Sequence, residues 1–165
     1  MLVTKKIEID MGHRVPNHKS KCKNLHGHRY TIEVGVDDKL VLFKGVSDEG
    51  MVIDFSDLKK IMMKHIDEVY DHSFTMYIED EFADYFVEIR NIFEQKINIV
   101  PFIPTAENLA KHWYKIIEKE LLNVGIAINH VRVWETPSST AVYTKDDDKQ
   151  WVEPQQKTLF ETPRL

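Results

Sequence analysis

Apolar positions along this chain change period several times, and each change marks an element. From Lys6 to His13 the pattern alternates, with Ile7, Ile9 and Met11 on one side, which predicts a half-buried strand. Arg14 to Leu25 is polar and carries Pro16 and Asn17, so it reads as a loop. Tyr30, Ile32, Val34 and Val36 then share a parity in a second strand. After "KGVSDEGMVIDF", Asp54 can cap a helix whose apolar positions are Phe55, Leu58, Ile61, Met62 and Ile66. Helical spacing returns at Phe82, Tyr85, Phe86, Ile89 and Phe93, predicting an additional helix over residues 79–96. "PTAENLAKHWYKIIEKELL" carries the clearest helical pattern. Pro104 and Thr105 stand at its start, Glu107 suits the positive end of its dipole, and Leu109, Trp113, Ile116, Ile117 and Leu121 form its stripe. Val131 and Val133 lead to Glu135 in a third strand, and "SSTAVYTK" reads as a fourth.

That order predicts an α+β fold: an antiparallel four-stranded sheet with helices packed on one face. A single domain is expected over residues 1–165, with 144–165 as a polar C-terminal tail. The chain has 165 residues, 42% hydrophobic and 30% charged, which is enough to bury one real core. Its net charge of −5 argues against a general binder of nucleic acid or of an anionic membrane surface. One cysteine excludes an intramolecular disulfide. With no apolar run after Met1 that could serve as a leader or a membrane span, a cytoplasmic location is expected.

Candidate chemistry enters through the histidines. His13 shares the parity of Ile7, Ile9 and Met11, while His26 and His28 share that of Tyr30 and Ile32. If the two strands pair as a hairpin, all three imidazoles leave the same face at the same end. Gly27 between two of them allows close backbone approach. Three imidazoles are the ligand set of a catalytic zinc site with an open fourth position. A single histidine is more often a half-buried residue with local partners, and it is the convergence that points to metal. Cys22 could be a fourth ligand that closes a structural site, or a thiolate beside the metal; spacing leaves both open.

Arg14, Lys19, Lys21, Lys23 and Arg29 fall in a stretch without an acidic residue, either a solvated loop or a patch for a polyanion such as a phosphate ester. Asp71 beside His72 could orient and charge an imidazole for proton transfer, although adjacency alone is a weak signal. Glu135 shares the parity of Val131 and Val133, so it projects from the apolar face, where an unpaired carboxylate is costly. A planar ring with adjacent N–H donors, guanine-like, would pair it bidentately; a structural arginine is the other partner to consider.

Five stretches share their order and spacing with a known family: "GHRVPNHKSKCKNLHGHRY", "GMVIDFSDLKKIM", "VYDHSF", "PTAENLAKHWYKII" and "VRVWETPSSTAVY". Through them the chain resembles the 6-pyruvoyl-tetrahydropterin synthase/6-carboxytetrahydropterin synthase family of the tunnelling fold. The resemblance implies that His13, His26 and His28 bind Zn2+, and that Cys22 is a base beside the metal and not a ligand. It implies that Asp71 and His72 are a proton-transfer pair reaching the site from a neighbouring subunit. Glu135 corresponds to the pterin anchor, and Thr105 and Glu107 to further residues of the pterin pocket. The implied substrate is 7,8-dihydroneopterin triphosphate, which suits the basic loop. A homo-oligomer closing into a barrel, a hexamer, is the implied assembly.

The three-residue gap between Cys22 and His26 resembles bacterial 6-carboxytetrahydropterin synthases of 7-deazaguanine (queuosine-type) biosynthesis, which release triphosphate and acetaldehyde. The rivals are the pyruvoyl product from the same site and a non-catalytic, zinc-stabilised pterin-binding module. Binding alone would not need Cys22 or Asp71–His72. The chain departs from the family pattern in "DMG" before His13, in a longer stretch from Thr75 to Phe102, and in the tail after Tyr143.

Overall fold

A computed structural model describes residues 1–149. Strands β1 (Leu2–His13) and β2 (His26–Asp37) form a long antiparallel hairpin in which Ile9 faces Tyr30, Met11 faces His28 and His13 faces His26. β2 pairs with β5 (Ile128–Thr136), and β5 with β6 (Ser139–Thr144), both antiparallel. On the other side of β1 lies β3 (Ser73–Tyr77), and beyond it β4 (Ile97–Val100), both joined in parallel.

Among the described residues the sheet therefore has six strands in the order β4-β3-β1-β2-β5-β6 and is mixed, not the four-stranded antiparallel sheet expected. β3 and β4 are five and four residues long, too short to carry a readable alternation between helical segments. With a helix between them they span residues 73–100, which takes in most of the stretch from Thr75 to Phe102.

Asp54 caps α1 (Phe55–Met62) by accepting from the Ser56 amide at 2.7 Å. The helix widens through a π-turn at Met63–Asp67 into the short α2 (Glu68–Tyr70). Its stripe begins at Leu58, since Phe55 in the first turn is half exposed. α4 (Ala106–Leu122) lies beside it, and both cover one face of the sheet. Leu58, Met62, Leu109, Trp113 and Ile117 meet Ile9, Tyr30, Ile32, Val131 and Val133 there, in one fully covered core. Each such aliphatic side chain stabilises the fold by roughly 1.5–3 kcal/mol relative to exposure.

The predicted additional helix is α3 (Ala83–Phe93), and it corrects the one-face arrangement. Its Phe86 ring packs 4.9 Å from that of Phe74, and Phe74 covers Gly12, which points away from the His13 side of β1. Helical spacing announced α3 but could not say which face it would cover. Within the expected tail, Thr144 belongs to β6 and Lys145–Lys149 form α5, while residues 150–165 lie outside the described residues. Among the described residues, no helix is long and apolar enough to cross a membrane.

Candidate metal centre and adjoining cleft

The hairpin register brings three imidazoles together at the loop end of β1 and β2. Ring centroids lie 4.5 Å apart for His13 and His26, 5.3 Å for His13 and His28, and 5.1 Å for His26 and His28. One ring nitrogen from each falls within 4.8 Å of the others. His13 is 1% exposed, and its Nδ1 donates to the Pro104 carbonyl at 2.7 Å. His26 donates from Nδ1 to the Asn24 carbonyl at 2.8 Å. A carbonyl can only accept, so each of these protons sits on Nδ1 and leaves the Nε2 lone pair free for a metal. Burial pushes the pKa of both His13 and His28 below the ordinary value, which favours the neutral, ligating form. The donor set suits zinc with an open fourth position.

Close approach of the strands is what gathers the rings. Gly27 sits opposite Gly12, and a Cβ there would stand 2.9 Å from the Met11 carbonyl oxygen. The Pro104 contact docks the start of α4 against the same corner. Thr105 caps that helix by accepting from the Asn108 amide at 3.4 Å, and Glu107 lies in its first turn.

Beside the imidazoles opens a cleft of about 230 Å³ whose walls include Cys22, Thr105, Glu107, Glu135, Ser139 and Thr140. Cys22 is partly exposed in a single turn of 3-10 helix, and its carbonyl accepts from the Val15 amide at 2.8 Å, folding the loop back on itself. Its thiol is not part of the three-histidine cluster. Glu135 joins cleft and cluster, with Oε1 3.6 Å from Nε2 of His13.

Ser139 and Thr140 of the cleft, and Tyr30 beside His13, were not singled out as site residues from sequence. Ser139 and Thr140 come from the turn into β6, where small hydroxyl residues carry no distinctive signal. Tyr30 read only as a core position, yet its fully buried hydroxyl lies 3.1 Å from Nε2 of His13 and donates to Oε1 of Glu135 at 3.4 Å. Burial raises its pKa further, so the phenol keeps its proton. The available signal was its place two residues beyond His28 on the same strand face.

Asp71 and His72 stand apart. His72 Nδ1 donates to Asp71 at 2.6 Å, and the Asp10 amide donates to the other Asp71 oxygen at 2.8 Å, which holds that carboxyl below its usual pKa. His72 has a left-handed backbone (φ 53°) and is largely exposed. Among the described contacts within one chain, none links this pair to the imidazoles or to Cys22.

The basic loop is smaller than its sequence suggested. Arg14 is buried against Asp80 and Glu81, both at 3.1 Å, and Arg29 pairs with Asp10 at 2.8 Å. Lys19, Lys21 and Lys23 are the exposed cations that remain. His65, His112 and His130 have other partners in Glu120, Tyr70 and Glu33.

The family model described as 6-pyruvoyl tetrahydropterin synthase matches residues 2–146. The chain belongs to that family. A Rickettsia felis member named 6-carboxy-5,6,7,8-tetrahydropterin synthase is 37% identical over 140 residues, covering 82% of this chain and 94% of the relative. A Haemophilus influenzae protein of the same name is 34% identical over 141 residues, covering 86% and 96%. Among solved structures, an uncharacterized protein of Wolinella succinogenes superposes with a TM-score of 0.73 at 26% identity, covering 88% of this chain and 98% of that one. The 6-pyruvoyl tetrahydropterin synthase of Caenorhabditis elegans gives 0.59 at 22% identity, covering 87% and 94%, a likeness of fold.

Proposed function

We propose that this protein is a zinc-dependent lyase that converts 7,8-dihydroneopterin triphosphate to 6-carboxy-5,6,7,8-tetrahydropterin, releasing triphosphate and acetaldehyde, in the cytoplasmic synthesis of 7-deazaguanines. The observation that carries the reading is the 3.6 Å approach of Glu135 to the ligating nitrogen of His13. A ring gripped by that carboxylate has its side chain at the three imidazoles. The names of the relatives in Rickettsia felis and Haemophilus influenzae support the carboxy product.

In this mechanism Glu135 accepts from adjacent ring N–H groups and fixes the reacting carbons, with Thr105 and Glu107 completing the ring pocket. Zinc held by His13, His26 and His28 supplies Lewis-acid polarisation that makes C–H bonds beside the substrate hydroxyls more acidic. Cys22, as thiolate, takes or relays a proton, and His72, charged and held by Asp71, serves the opposite step. Lys19, Lys21 and Lys23 offer cations to the triphosphate. Because Asp71 and His72 stand apart from the imidazoles of their own chain, a second copy delivers them, and the active form is a homo-oligomer, a hexamer.

The test is incubation of the zinc-loaded protein with the substrate and identification of the products. Acetaldehyde with the carboxy compound is the expected result. A pyruvoyl product would move the protein to the other branch of the family, and pterin binding without turnover would leave a binding module.

A further inference from the structure

Tyr30 sits where a phenylalanine would fill the core equally well. Its ring stands edge-on to His13 and His28, at centroid distances of 5.8 and 5.7 Å. Its hydroxyl lies 3.1 Å from Nε2 of His13 and 3.4 Å from Oε1 of Glu135. The same Oε1 is 3.6 Å from that Nε2, the nitrogen His13 keeps for a metal because Nδ1 is engaged by Pro104. Carboxylate oxygens are ordinary zinc ligands. A small rotation of the Glu135 side chain would therefore make it a fourth ligand, closing the open position and removing the ring anchor at once.

We infer that Tyr30 is a positioning residue that keeps Glu135 off the metal and holds its carboxylate in the cleft wall. The inference rests on the metal and ring-anchor roles proposed above. A phenol O–H donating to a carboxylate is a charge-assisted, orienting bond. It engages Oε1, the oxygen 3.6 Å from Nε2 of His13, and does not occupy Oε2. The phenol cannot drift, since its ring is fully covered within the main core.

The experiment compares wild type, Tyr30→Phe, Glu135→Gln and the double variant in the full chain. Zinc affinity is read by competition with a chromophoric chelator, coordination by the visible absorption of the cobalt(II)-substituted protein, and ring binding by calorimetry with 7,8-dihydroneopterin triphosphate. Tyr30→Phe should bind zinc about tenfold more tightly and show an altered cobalt spectrum, since outer-shell partners commonly tune metal affinity by about 10–100-fold. It should bind the pterin about tenfold more weakly, as expected when a bond to a charged group is lost. All of these changes should vanish against the Glu135→Gln background. Unchanged zinc affinity and cobalt spectrum would overturn the inference, as would changes that persist without the Glu135 carboxylate. Weakened zinc or a lost fold in Tyr30→Phe would also overturn it, since the phenol would then be supporting His13 or the core. The metal readouts need no substrate. Wild-type protein without pterin turnover would end the lyase reading and leave this inference to stand or fall on zinc and cobalt.

Discussion

His26, Cys22 and Glu135 divide the labour at the site, and single substitutions should separate their roles. His26 commits Nδ1 to a carbonyl and offers Nε2, so His26→Ala removes one of three donors. Zinc content and turnover should fall together; metal analysis showing full zinc would remove His26 from the ligand set. Cys22 stands on the cleft wall outside that cluster. Cys22→Ala and Cys22→Ser should therefore stay folded and zinc-loaded while turnover drops by about 10²–10⁴-fold, the usual scale of a lost general base. Zinc and turnover measured on one preparation decide it, for zinc lost in step would make the thiolate a ligand. Glu135→Gln keeps the shape but trades an acceptor-only group for an amide with two donors. Pterin affinity by calorimetry should weaken with zinc unchanged, and equal affinity would make Glu135 structural.

The β1–β2 hairpin is the element that makes the metal centre, and its weak point is the glycine pair behind the imidazoles. A Cβ at Gly27 would meet the Met11 carbonyl oxygen at 2.9 Å and the Gly12 Cα at 3.2 Å. Both are backbone atoms, which cannot rotate away as a side chain could. Gly27→Ala should force the strands apart between His26 and His28, at a cost of about 1–3 kcal/mol, the usual scale of overpacking. Urea unfolding should show the loss, and zinc titration should show weaker binding. Stability and zinc affinity equal to wild type would mean that the strand pair has slack at this point. Gly12 differs, since its closest neighbour is the Phe74 ring, part of a side chain.

For the whole molecule, histidines that burial, partial or full, disfavours in the charged form link stability to pH. His112 has its pKa lowered by burial, and its Nε2 accepts from the Tyr70 hydroxyl at 2.7 Å. Tyr70, pushed up by burial to about 12, keeps the proton it donates. In the unfolded chain His112 protonates near its ordinary value of about 6.5, so below that pH the unfolded state binds more protons. Stability is then full above this value and is lost as pH falls through the lowered folded one. His13 and His28 add to the slope in metal-free protein. Urea midpoints of chelated wild type should fall between about pH 7.5 and about pH 5.5, and His112→Gln should flatten part of that fall. An equal slope in the variant would assign the effect to the other histidines. At the same scale, among the described residues β4 and β6 leave both sheet edges without a strand partner. An active monomer in light scattering under assay conditions would refute the shared site.

Alternation by itself determined the two long strands and, granted their pairing, the common face of His13, His26 and His28, and the side from which Glu135 projects. Those features follow from the two-residue period of long strands, which is written locally in residues such as Ile7, Ile9 and Met11. The capped starts of α1 and α4 were equally legible, because Asp54 and Thr105 act on amides two and three residues away. Tertiary structure alone decided what depends on partners far along the chain. β3 is a strand because β1 supplies its hydrogen bonds, and β4 because β3 does; α3 covers the Gly12 face because Phe74 is there to receive Phe86. Arg14 left the basic patch because Asp80 and Glu81 come round to it. Tyr30 became part of the site because Glu135, 105 residues later, arrives within reach of its hydroxyl. No local period encodes an encounter of that length; only the packed fold brings the phenol, the carboxylate and the imidazole to one point.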